Sequence, residues 1–60
     1  MKRNEKIKYV QEIIMMQTEL FNLGICYRVA SEKDLMACNG NQLQLIYMNL
    51  SNLYNQNINK

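Results

Sequence analysis

Residues Lys6–Leu23, KIKYVQEIIMMQTELFNL, constrain this chain more than any other stretch. Successive residues on a helix turn by about 100°. On that wheel Ile7, Tyr9, Val10, Ile13, Ile14, Met16, Leu20, Phe21 and Leu23 share one side. Glu5, Lys8, Gln11, Glu12, Glu19 and Asn22 share the other. The apolar arc is roughly 200° wide, about twice the stripe of an ordinary surface helix. One neighbour cannot cover such an arc, so flanking on two sides is expected, by the rest of the chain and by a second chain. Asn4 is placed to cap the helix start. Gly24 suits the left-handed position just past the end, with Ile25 returning to Leu20 in a Schellman-type close. Gln17 inside the apolar arc and Met15 on the polar face fit this scheme badly.

After Gly24 the period changes. Ile25-Cys26-Tyr27-Arg28-Val29 is β-branched and aromatic in the manner of a strand. Its one local partner is Leu35–Asn39, across the polar loop Ser31-Glu32-Lys33-Asp34. Pairing Val29 with Leu35 puts Ile25, Tyr27, Val29, Leu35 and Ala37 on one face, as a half-buried hairpin requires. The competing reading makes Ser31–Cys38 a short helix, capped by Ser31 with Asp34 three residues on. The absence of Gly from the loop speaks for the helix. The expected fold is therefore small α+β and mostly helical: long helix, short β-hairpin, second helix. The alternative is an all-α unit of three helices.

The last element is a helix from Gln42 to about Asn55, with Asn41 as cap and Gln44 three residues on. Leu43, Ile46, Tyr47, Leu50, Leu53 and Tyr54 form one apolar stripe, close to a heptad seam. The other face, with Gln44, Asn49, Ser51, Asn52, Asn55 and Gln56, carries no charge, and Leu45 and Met48 also point away from the stripe. Residues 1–60 make a single small domain in this reading, with 1–4 and 57–60 as frayed tails.

A 60-residue chain buries only about 60% of its unfolded surface, so such chains usually lean on disulfides, a metal or an oligomer. Cys26 and Cys38 could make one bridge at most, and with no His the Cys/His ligand set of a zinc site is missing. A homodimer is the expected support, with no metal and no cofactor. Ile7, Val10, Ile14 and Phe21 of the first helix, and Leu43, Ile46, Leu50 and Leu53 of the last, would build core and dimer. The basic start MKRNEKIK is not followed by the apolar run and small-residue site of a signal peptide. No stretch reaches the ~20 apolar residues of a membrane span. A cytoplasmic protein with reduced thiols is expected. Nine asparagines, with frequent Ile, Lys and Tyr, match AT-rich codons and point to a low-GC bacterium or one of its phages.

Catalysis is not expected. Without His the common general base is gone. Glu5, Glu12 and Glu19, seven apart near Lys8, read as a solvated face with weak ion pairs. Gly24 and Gly40 are isolated and make no phosphate loop. Two binding readings remain. In the first, the chain is a protein-binding module that inhibits or co-regulates a host regulator or enzyme, as a phage or mobile-element product would. Met36, Leu45, Met48, Asn49 and Asn52 would meet the partner, since exposed Met and an uncharged Asn/Gln face suit an interface. In the second, the chain is a helix-turn-helix transcriptional regulator whose last helix reads bases through Asn and Gln. No Lys or Arg stands between Asp34 and Asn59. Lys2, Arg3 and Lys6 would then have to supply the phosphate contacts from the opposite end.

Overall fold

In the computed structural model, which describes residues 2–58, the chain folds into three helices. They are α1 (Arg3–Asn22), α2 (Glu32–Met36) and α3 (Gly40–Ile58). At about 1.5 Å per residue, α1 and α3 are each close to 30 Å long, and the molecule measures 33 × 18 × 15 Å. The two long helices therefore span the whole molecule. Pairs across their seam rise together: Tyr9 meets Tyr47, and Glu19 meets Tyr54. So α1 and α3 are parallel, and residues 23–39 carry the chain back along them.

The expected hairpin does not form. No strand occurs among the described residues, and the all-α alternative is the observed architecture. The physical reason lies in where the backbone groups find partners. The N–H groups of Ile25 and Cys26 both donate to the Leu20 carbonyl, at 2.9 and 3.3 Å. Ala30 N–H donates to Gln17 Oε1 at 2.9 Å. The β-branched run is thus held as an irregular strap on α1. Its supposed partner strand is taken up by α2, where Ser31 Oγ accepts from Asp34 N–H at 3.1 Å. Tyr27, expected on the buried face of the hairpin, is 95% exposed. Gln17, which fitted the apolar arc of α1 badly, is in place for the strap.

The end of α1 closes as expected. Gly24 has φ +79°, its N–H donates to Phe21 C=O at 3.0 Å, and Ile25 N–H returns to Leu20 C=O. That is the two-bond Schellman pattern, and it needs a residue without a Cβ penalty at the positive φ. The starts of the helices differ from expectation. Asn4 lies inside the first turn of α1, and Lys2 takes the cap position with no side-chain bond. At α3 the cap is Asn39, two residues before the expected Asn41. Asn39 Oδ1 accepts from Gln42 N–H at 2.8 Å, and Gln42 Oε1 accepts from Asn39 N–H at 3.2 Å, a reciprocal box. Helical structure reaches out to Arg3 and Ile58; Met1, Asn59 and Lys60 of the expected tails lie outside the described residues.

Val10, Ile13, Met16 and Leu20 of α1, Leu35 of α2, and Leu43 and Leu50 of α3 form the core. Of the other residues expected there, Ile14, Ile46 and Leu53 pack against this cluster half-buried, Ile7 is half-buried, and Phe21 is 48% exposed. Among the described residues no buried side chain is polar or charged. Seven buried side chains among the described residues make a small core, as expected of so short a stretch of chain.

Candidate functional site

The side of α3 turned away from the core has a definite composition. Leu43 and Leu50 point inward, and at 100° per residue the opposite arc holds Asn41, Leu45, Met48, Asn49, Asn52 and Asn55. Leu45 is 61% exposed and Met48 60%, and Asn49 and Asn52 are exposed beside them. Four of the five residues expected to meet a partner are therefore brought together on one helix face. Met36 is not among them: it sits on α2, half-buried against the core cluster. Met15, on the outer side of α1, is 53% exposed.

The seam between α1 and α3 holds a feature that sequence reasoning missed. Tyr54 Oη donates to Glu19 Oε2 at 2.6 Å. One heptad earlier, the Glu12 carboxylate lies near enough to the Tyr47 hydroxyl to shift it, without the short hydrogen bond that joins Tyr54 to Glu19. Tyr47 also meets the Tyr9 ring edge-on, with centroids 5.1 Å apart and planes at 85°. Hydrogen bonding to Glu12, the charge of Glu12, burial and Tyr9 raise the Tyr47 phenol above its ordinary value. Hydrogen bonding to Glu19, burial and the charge of Glu19 do the same for Tyr54. In each case a carboxylate stabilises the protonated phenol and repels the phenolate. The acids that read as a solvated stripe are thus two rungs of a ladder. The signal was there in the shared spacing of seven, Glu5-Glu12-Glu19 on α1 and Gly40-Tyr47-Tyr54 on α3.

The first rung is open. Glu5 lies opposite Gly40, which has no side chain to offer, and a cleft of about 580 Å³ takes its place. Glu5, Lys8, Tyr9, Glu12, Gly40 and Tyr47 line it. A smaller hollow against Tyr9 and Tyr47 continues it past Gln44 to Met48. The cleft thus opens onto the outer face of α3.

The basic residues Lys2, Arg3 and Lys6 occupy the start of α1. The parallel arrangement places them at the same end as the start of α3, beside the cleft that Glu5 and Gly40 line. The sequence suggested the opposite end, and the crossover through 23–39 reverses that. Cys26 and Cys38 are free thiols, both half-buried, with Cys38 Sγ 3.5 Å from the Asp34 carbonyl oxygen. Among the described residues no cluster of three or more His, Cys, Asp or Glu could hold a metal, and no helix is long and apolar enough to cross a membrane. No protein-family model matches the chain, and neither does any curated protein or solved structure.

Proposed function

We propose that this chain is a small non-enzymatic module that binds another protein through the outer face of α3 and modulates it. One observation carries the reading: Leu45 and Met48 stand side by side, each about three-fifths exposed, on a helix face without charge. Leaving two large apolar side chains in water gains the free chain nothing. Covering them with a partner releases their hydration, and amide side chains cost far less to desolvate than charged ones. Methionine adapts to irregular partner surfaces. In this reading the regulated protein is a host regulator or enzyme, and the Asn-, Ile- and Lys-rich composition fits a phage or mobile element of a low-GC host as the source. A homodimer fits the same economy, because Ile7, Ile14 and Phe21 repeat every seven residues along the flank of α1 that this chain leaves partly open.

A second reading is favoured by one observation. The start of α3 and Lys2, Arg3 and Lys6 share an end of the molecule, and recognition helices touch bases with their first turns. In this reading the chain is a DNA-binding regulator. Its weakness is that α3 carries no basic residue of its own. Capture of partners by the tagged full chain from a low-GC bacterial lysate separates the two. A protein retained after nuclease treatment and in raised salt supports the protein-binding reading. Bands lost to nuclease or to modest salt support the DNA-binding one.

A further inference from the structure

We propose that the outer face of α3 pairs antiparallel with the same face of a second copy of the chain, and so stays covered until the regulated protein displaces that copy. Self-pairing deepens the protein-binding reading and rests on it for what does the displacing. Asn41, Leu45, Met48 and Asn52 are all exposed, and they are spaced by four, three and four residues. That is the alternating step of a coiled-coil seam, which keeps facing a partner helix along its length. The series is also its own reverse: amide, apolar, apolar, amide. A two-fold axis demands this, because each contact across it occurs twice with the two roles exchanged. With the axis at the level of Ile46 and Tyr47, Leu45 sits on Met48 of the second copy and Asn41 on its Asn52. Apolar meets apolar, and amide meets amide.

Charge selects the occupant and its direction. α3 has no charged side chain, and Gln42, Gln44, Asn49 and Ser51 flank the seam, so a second copy brings no like charge against it. The nearest cluster of charge lies at one end, where Lys2, Arg3, Lys6 and Lys8 outnumber Glu5 beside the start of α3. Parallel pairing brings two such ends together. Antiparallel pairing sets the two starts of α3 about 20 Å apart along the pair, twice the screening length of about 8–10 Å, and opposes the helix dipoles. The α1 row of Ile7, Ile14 and Phe21 lacks this symmetry. Packed antiparallel as a seam, it sets Ile7 against Thr18 and Ile14 against Gln11, apolar against polar. The α3 seam has two apolar side chains per copy, far fewer than a standard interface, so the pair is loose enough to be displaced.

The test is sedimentation velocity of the full chain from about 1 µM to about 1 mM, with helicity recorded. The mean mass should climb from one chain towards two. Leu45→Glu should stay at one chain throughout and keep its helicity, and Phe21→Glu, on the α1 row, should climb as the parent does. An Asn41→Asp, Asn52→Lys double variant reads the direction without removing an apolar contact. In the antiparallel pair it sets opposite charges together twice, so self-association should tighten about fivefold, and by less in raised salt. In a parallel pair it sets like charges together, and self-association loosens. A parent that stays at one chain, a Leu45→Glu variant that still pairs, a Phe21→Glu variant that does not, or a loosened charge variant would overturn the self-pairing. A parent that stays at one chain leaves Leu45 and Met48 open to another protein, so the protein-binding reading survives that failure and is tested separately by capture.

Discussion

Leu43 and Leu45 are two residues apart on the same helix; Leu43 is fully buried and Leu45 is 61% exposed. Leu50 and Met48 repeat the contrast, at 8% and 60% exposed. Two residues turn a helix by about 200°, so each pair straddles α3. The inner face meets α1 through the core cluster and the two Tyr–Glu rungs. On the outer face Leu45 and Met48 are each about three-fifths exposed. Leu43 and Leu45 are the same side chain, so hydrophobicity alone does not say which of these residues holds the fold. Position on the wheel does, and the apolar residues left over on the far side are those available to a partner.

The comparison is broken most directly at those leucines. Leu43→Ala should cost about 2–5 kcal/mol in urea unfolding, because it opens a cavity in a core with little to spare. Leu45→Ala should stay within about 0.5 kcal/mol of the parent. Equal losses would mean that the outer face is core. A smaller effect is expected at Gln17, the polar residue that ties the strap to the inner side. Gln17→Ala should destabilise by about 1–3 kcal/mol by stranding the part-buried Ala30 N–H. Its thermal midpoint should drop without loss of α3 helicity. Asn39→Ala should cost about 1 kcal/mol, whereas Asn41→Ala, on the outer arc, should cost almost nothing.

The smallest expected effect is alkaline. Tyr47 and Tyr54 have phenols raised above the usual value of about 10. A raised value means that the folded state holds the proton more tightly than the unfolded chain. The stability the rungs contribute is therefore complete below about pH 10 and is lost as pH rises through the folded-state values. A Tyr47→Phe, Tyr54→Phe double variant should lack that alkaline loss while behaving as the parent near neutrality in its pH slope. Absorbance of the phenolates against pH gives the check.

Much of the inner face was legible beforehand. The apolar arc of α1, its glycine close and the α3 stripe all follow from periodicity and one left-handed position. The region 25–39 was harder to read for a physical reason. Ile25–Val29 has the residues of a strand, but a strand depends on a partner that local sequence does not guarantee. The deciding signals were weak ones: no Gly in the 31–34 loop, and Ser31 three residues before Asp34. The α3 cap was ambiguous in the chain itself, since Asn39–Gln42 and Asn41–Gln44 have the same spacing. The ladder required knowing that α1 and α3 run parallel, which no local pattern in either helix states. Once that direction is known, the matching heptads of Glu and Tyr or Gly follow. On the outer face, Leu45, Met48, Asn49 and Asn52 were readable because a helix wheel needs no tertiary information. Met36 was not, because α2 packs it against the core.

Partner binding rests on the outer face of α3. The direct measurement is capture from a nuclease-treated low-GC lysate by the wild-type chain and by a Leu45→Glu, Met48→Glu double variant side by side, with helicity and urea midpoint recorded for both. The account predicts one retained protein for the wild type, none for the variant, and matching unfolding curves. A variant that keeps its fold and still captures the same protein would contradict it.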